Sequence, residues 1–153
     1  MRILKFGGSS LATPATIRAV GAIVMDARRQ EPAIVVVSAF QGVTNQLLEC
    51  ARLAESGDTK YTRLLGEVAR RHRSAVATLA AARHGDARRY VETLLGELQS
   101  TLQGIYLLRH CPPRALDMAA SFGERLSAVI VAASLDRSRP AAPADAQIGR
   151  AHV

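Results

Sequence analysis

Ala33-Ile34-Val35-Val36-Val37-Ser38 is an almost wholly β-branched run, the composition of a parallel strand buried on both faces. A strand of that kind needs a partner, and an earlier one is available in Arg2-Ile3-Leu4-Lys5-Phe6, which stops at Gly7-Gly8. Between the two, Pro14 opens a helix through about Arg29. Ile17, Val20, Gly21, Val24 and Ala27 recur there at steps of three and four, and Glu31-Pro32 closes the segment. A strand, a helix of this length and a second strand make a βαβ unit with a right-handed crossover, so both strands end on one edge of the sheet. Gly7-Gly8 and Ser38 become neighbours by topology.

From Thr44 onward the periodicity is helical, predicting helices over about Thr44 to Glu55, Lys60 to Arg83, Ala87 to Arg109 and Ala115 to Leu135. Breaks are expected at Gly57-Asp58, Gly85-Asp86 and Pro112-Pro113. The length of 153 residues suits one domain. Apolar residues at 48% and charged residues at 22% disfavour a disordered chain or a coiled-coil rod, and 4% aromatics without Trp favour a helix-rich aliphatic interior over a β-sandwich. The fold class expected is therefore α/β, with a mainly parallel sheet followed by several helices.

Several partner classes are disfavoured. The opening apolar run is broken at once by Gly7-Gly8, unlike a signal peptide, and Glu124 with Arg125 interrupts the apolar stretch from Ala115 to Leu135, so no membrane partner is expected. A formal charge of +7 and the runs Arg70-Arg71-His72-Arg73, Arg83-His84 and Arg88-Arg89 lack interleaved aromatics, so they read as solvated helix faces and no nucleic-acid partner is expected. Cys50 and Cys111 show no metal-ligand or redox spacing and read as buried thiols of a reducing, cytoplasmic setting. His72, His84 and His110 show no metal spacing either; they read as solvated, and no metal site is expected.

Three segments could carry chemistry. Gly7-Gly8-Ser9-Ser10 offers backbone N–H groups and hydroxyls for a phosphate, with Lys5 as a nearby charge, or else is a tight turn beside a solvated lysine. Ser38 and the turn Gln41-Gly42-Val43-Thr44-Asn45 offer hydroxyls at a helix N-terminus for an anionic ligand; alternatively Thr44 or Asn45 caps the helix, with Gly42 at positive φ. Glu124 falls among Ala120, Ser121, Ser127 and Ala128, small residues that would make a carboxylate costly unless it met a cation. An exposed or Arg-paired charge is the plainer reading. Gly123 beside it suggests close approach by another backbone or a ligand.

Taken in order, Lys5-Phe6-Gly7-Gly8-Ser9-Ser10, Val36-Val37-Ser38-Ala39 through Val43-Thr44-Asn45, and Ser121-Phe122-Gly123-Glu124-Arg125-Leu126-Ser127 closely resemble successive motifs of aspartate kinases. Ser9 stands where that family usually has Thr, which keeps a hydroxyl. The stretch Gly104 to Leu108 leading to Cys111-Pro112 is similar to the lysine- or threonine-sensitive enzymes, including those fused to homoserine dehydrogenase. The resemblance implies an amino-acid-kinase fold, with residues 1–147 as the N-terminal, aspartate-binding part of the kinase domain. It implies transfer of the γ-phosphoryl group of MgATP to the side-chain carboxylate of L-aspartate, giving 4-phospho-L-aspartate, the entry to lysine, threonine and methionine synthesis. By motif match, Lys5, Gly7, Gly8 and Ser9 would hold ATP phosphates, Lys5 also acting in catalysis, while Ser38, Thr44 and Glu124 would hold aspartate. The full-length protein is expected to be a homo-oligomer. Another amino-acid kinase, or a non-catalytic basic interaction module on the same frame, is the alternative.

The last six residues, Ile148 to Val153, resemble the translation of a sequencing adapter and are expected to be foreign to the natural protein, the chain being a truncated kinase domain. Phosphoryl transfer needs donor and acceptor held in line, and the motifs present account for the aspartate side and one edge of the phosphate site. A coupled assay of the purified chain with ATP and aspartate is expected to show no turnover; measurable turnover would contradict this.

Overall fold

The computed structural model describes residues 1–79 and 84–135. Strand β1 (Arg2–Phe6) leads through a 3-10 turn (Gly8–Leu11) into helix α1 (Pro14–Gln30), strand β2 (Ala33–Val37), and helices α2 (Val43–Ser56), α3 (Lys60–Leu79), α4 (His84–Leu108) and α5 (Pro113–Leu135). β1 and β2 pair in parallel with Arg2 opposite Ala33 and Phe6 opposite Val37. One more ladder bond runs from Ser38 N–H to Phe6 O at 3.0 Å. That bond carries the register past the strand ends and brings the two following turns together. The βαβ unit and the predominance of helix are as the sequence predicts.

Pro14 occupies the first turn of α1 behind a capping box, in which Thr13 accepts from Thr16 N–H and Thr16 accepts from Thr13 N–H. Its buried stripe is Ile17, Val20, Val24 and Ala27. α2 stops at Gly57, whose φ of 74° gives the left-handed C-cap that glycine takes without penalty. α4 begins at His84, three residues ahead of the expected start, so Gly85-Asp86 is not a break but the first turn of the helix. Asp86 there suits the positive end of the helix dipole and pairs with Arg89 at 2.8 Å. The expected end of the third helix at Arg83 and the tail Ile148–Val153 lie outside the described residues.

The strands are not buried on both faces. Leu4, Phe6, Val35 and Val37 pack into the helical core, while Ile3 at 65%, Ile34 at 48% and Val36 at 44% remain exposed on the other face with Lys5. Among the described residues only one side of this pair is covered by helices, which is why a run composed for double burial is half open. α5 is the hub of the helical layer, touching α1, α2, α3, α4 and β2. By length and composition α5 could cross a membrane. Here, however, Ala119, Phe122, Leu126, Ile130 and Val131 of that helix are buried in the core.

Two further expectations are corrected. Cys50 is buried, and burial pushes its thiol up to about 12, but Cys111 is only half-buried. His72 is not solvated. It is fully buried, its ring stacked on Phe40 with centroids 4.8 Å apart and planes 3° from parallel. Nδ1 lies 2.7 Å from Val68 O, a carbonyl that can only accept, so Nδ1 carries the proton. Nε2 is a buried acceptor with no partner among the described residues.

Burial, aided by the Arg71 charge, pushes the His72 imidazole down to about 4 from its usual 6.5. The unfolded chain therefore binds a proton that the folded chain refuses between those values. Stability is full above pH 6.5 and falls as pH drops toward 4, by roughly 1.4 kcal/mol per pH unit and roughly 3 kcal/mol in all. Urea unfolding at pH 7 and pH 5 tests this. The parent is expected to lose about 2 kcal/mol more than His72→Phe, which keeps the stack without the titration. Equal losses would contradict the assignment.

Candidate functional site

The chemistry suggested by the sequence gathers at the edge where β1 and β2 end. After β1 the chain turns through Gly7 and Gly8, with Ser10 N–H donating to Gly7 O at 3.1 Å and Ala12 N–H to Ser9 O at 3.4 Å. After β2 it turns through Ser38 to Gly42, and Val43 N–H donates to Phe40 O at 2.9 Å. The turns touch at Gly8, where a Cβ would lie 3.1 Å from Ala39 O and 3.4 Å from the Gln41 Cα. Any side chain at Gly8 would push backbone against backbone. At Gly7 a Cβ would meet nothing within 4 Å among the described residues, so no contact with them accounts for the glycine there.

Gly42 has φ of 82° and is itself the N-cap of α2, which corrects the assignment of that role to Thr44 or Asn45. The positive φ was expected from the sequence; because the left-handed Gly42 ends the turn, the cap falls two residues ahead of Thr44 and three ahead of Asn45. Thr44 is thus an exposed residue in the first turn of α2, its hydroxyl not engaged in capping. Phe40 is buried and joins the core, with its ring between His72 and the Arg71 guanidinium, whose carbon lies 5.6 Å from the ring centroid.

α5 closes on the same turn from another side. Ser127 Oγ donates to Ser38 O at 2.7 Å and lies 3.0 Å from Glu124 O. Gly123, one turn earlier, lies so near that a Cβ there would come within 2.8 Å of the Ala39 Cβ and 3.3 Å of Val43 Cγ1. The close approach expected of Gly123 is therefore made by the β2–α2 turn. Glu124 follows it in sequence but is exposed, so the costly small-residue surroundings inferred for its carboxylate are not realised. The helix turns it outward by about 100° from Gly123. Its neighbour Arg125 is committed, donating to Glu97 at 2.9 Å and stacking 4.6 Å from the centroid of Phe122, whereas Glu124 has no ion-pair partner among the described residues.

Lys5 is exposed on the open sheet face, in register with Val36, and Ser9 is exposed in the 3-10 turn. Gly7, Gly8, Ser9 and Ser38 thus belong to two touching turns, Thr44 to the first turn of the helix that follows the second, Glu124 to the helix that pins the second turn, and Lys5 to the strand entering the first. Among the described residues no group of three or more His, Cys, Asp or Glu could hold a metal ion. Arg71, read from the sequence as part of a solvated helix face, is instead half-buried. It donates from Nη1 to Gln41 O at 2.6 Å and from Nη2 to Ala12 O at 3.0 Å, bridging the two turns. The signal was its position: Val68 and Ala75, three before and four after it on α3, are both buried.

The chain is similar in sequence and in fold to known proteins. The sequence pattern of the amino acid kinase family matches residues 1–150. A bifunctional aspartokinase/homoserine dehydrogenase 2 of Zea mays is 29% identical over 137 residues, covering 88% of this chain and 15% of that protein. Aspartokinase 1 of Arabidopsis thaliana is 29% identical over 134 residues, covering 88% of this chain and 23% of that protein. Among solved structures, E. coli aspartokinase III in complex with aspartate and ADP superposes with a TM-score of 0.74 at 25% identity, over 88% of this chain and 28% of that one. The chain thus spans less than a third of the length of these relatives and shares the fold of that part.

The contact at Gly123 generates a test. Gly123→Ala gains helix propensity of about 1 kcal/mol but forces a methyl against the rigid Ala39 Cβ, an overpacking cost of about 1–3 kcal/mol. Gly96→Ala, where a Cβ meets nothing within 4 Å on α4, gains the propensity alone. Thermal melts are expected to place Gly96→Ala above the parent and Gly123→Ala at or below it. A Gly123→Ala chain stabilised as much as Gly96→Ala would show that α5 does not rest on this turn.

Proposed function

The chain belongs to the amino acid kinase family, and from that membership we propose that it is the aspartate-binding part of an aspartate kinase. The reaction is attack by a side-chain carboxylate oxygen of L-aspartate on the γ-phosphorus of MgATP. An O–P bond forms to give 4-phospho-L-aspartate, the bond to the bridging oxygen breaks, and ADP leaves with that electron pair. A carboxylate is already ionised at neutral pH, so no general base is required, and catalysis reduces to alignment and charge neutralisation. Magnesium enters with ATP as part of the co-substrate.

The observation that carries the reading is the contact between the two turns at Gly8 and Ala39, on the edge where both strands end. Such an edge is where parallel sheets receive ligands, because N–H groups and helix N-termini face outward there. Gly7, which no atom of the described residues obliges to be glycine, supports a ligand approaching the backbone closely. In this reading Lys5, Gly7, Gly8 and Ser9 hold phosphate oxygens, Lys5 neutralising charge on the transferring group. Ser38 and Thr44 donate to aspartate carboxylate oxygens, and Glu124, exposed and without a cationic partner among the described residues, takes the ammonium group. A cytoplasmic location, a homo-oligomeric full-length protein and a place at the head of lysine, threonine and methionine synthesis belong to the same proposal; the plant relatives are named as chloroplastic.

Calorimetric titration of the chain with aspartate, before and after Glu124→Gln, tests the assignment. Because Glu124 is exposed, the lost charge-assisted contact is expected at the low end of its range, weakening aspartate about tenfold, roughly 1.4 kcal/mol. Affinity for MgADP is expected to stay unchanged. Equal aspartate affinity in both chains would remove Glu124 from the site, and a parent that binds no aspartate would contradict the reading as a whole.

A further inference from the structure

Of the arginines in the basic run of α3, Arg70 and Arg73 are exposed, and Arg73 is committed to Glu92 through two contacts of 2.7 Å. Arg71 alone turns inward to half-burial. Its two terminal nitrogens donate to carbonyls 29 residues apart in sequence, Ala12 O just beyond the 3-10 turn and Gln41 O just before the Gly42 cap. Its guanidinium also lies over Phe40, whose other neighbour is His72, the next residue of α3. One helical turn thus holds the β2–α2 turn by a ring and a carbonyl, and the β1–α1 turn by a second carbonyl.

We propose that Arg71 is a positioning residue, setting the spacing between the Gly7–Ser10 turn and the Ser38–Thr44 turn so that two ligands bound on them stand in line. This inference deepens the proposed function and rests on it for the identity of the ligands. The chemistry selects arginine: a planar fork of fixed donors satisfies two carbonyls at a set separation, whereas a lysine ammonium is a single point on a flexible stem. The other restraints do not duplicate it. The ladder bond from Ser38 N–H to Phe6 O joins the two segments only where they leave the strands, Ser127 and Gly123 hold the Ser38–Ala39 end of the second turn to α5, and the contact at Gly8 limits how closely the turns approach without holding their far ends together. Alignment of donor and acceptor tolerates errors of well under 1 Å, so a clamp across both turns acts on the reaction without touching either ligand.

Amide hydrogen exchange of the 153-residue chain, measured by NMR in the parent, Arg71→Lys and Arg71→Met, tests the clamp. Arg71→Met is expected to speed exchange at Ser10, Ala12 and Val43 at least tenfold, with Arg71→Lys intermediate, while Leu98 and Leu102 in the core of α4 keep their rates. Should Arg71→Met fail to fold, Arg71→Lys carries the comparison. Unchanged exchange at those three amides, or acceleration spread equally over all helices, overturns the proposal. Titration with MgADP and with aspartate then separates it from the reading beneath it. A parent that binds both, with Arg71→Lys weakening both, supports both claims; a parent that binds neither removes the kinase reading, while exchange still decides the clamp. Binding by Arg71→Lys as tight as the parent's, despite loosened turns, overturns the positioning role.

Discussion

The close approach of α5 to the β2–α2 turn is the constraint on which the site edge depends. Gly123 lets the helix come close enough to meet Ala39, and Ser127 converts that proximity into a hydrogen bond on Ser38 O. Neither would reach the sheet if Ser38 were not itself paired with it. The ladder bond from Ser38 N–H to Phe6 O ties the same residue to β1, so a helix late in the chain fixes a strand near its start through a single residue. The apolar face of α5 provides the adhesion. Ala119, Phe122, Leu126 and Ile130 bury at steps of three and four, and the polar members of the same motif are set by where that stripe must point.

That geometry separates two kinds of charge. Arg125 is spent on Glu97 and the Phe122 ring, and Arg73 on Glu92, all at partly exposed sites where such pairs contribute little to stability. Glu124 and Lys5 are exposed at the site edge and on the strand leading to it, and neither side chain makes an ion pair or hydrogen bond among the described residues. Exposed charges without structural partners are free to meet a ligand at small desolvation cost, whereas a buried carboxylate would have to be matched before the ligand arrived. The buried titratable side chain that lacks a partner among the described residues lies elsewhere, at His72, and its unmet acceptor makes the core acid-sensitive without bearing on the ligands.

Much of this was legible in the residues because local signals agreed with the final packing. The β-branched run Ile34–Val37, the apolar Ile3–Phe6, Pro14 at a helix start and Gly42 at a positive φ each have one favourable placement, and together they leave a single βαβ arrangement. The neighbouring of Gly7-Gly8 with Ser38 followed from topology alone. What was not legible is decided by partners distant in sequence. His72 sits in a run of arginines and looked solvated until Phe40, more than thirty residues earlier, stacked on it. Glu124 looked crowded because its neighbours on the helix are small, but small neighbours leave a side chain open to water unless another element covers it, and none of the described elements does. The open face of β2 is the converse case, a composition suited to cover that the described helices supply on one side only.

In the proposed function, the two touching turns and the α5 motif form one binding edge for an amino acid and a nucleotide phosphate. Backbone amide shift mapping of the chain with the two ligands added separately addresses it most directly. Aspartate is predicted to move the resonances of Ser38, Thr44 and Glu124, and MgADP those of Gly7, Gly8 and Ser9, with α3–α4 amides such as Val76 and Val91 unmoved. Shifts confined to α3 and α4, or none at the turns with either ligand, would contradict it.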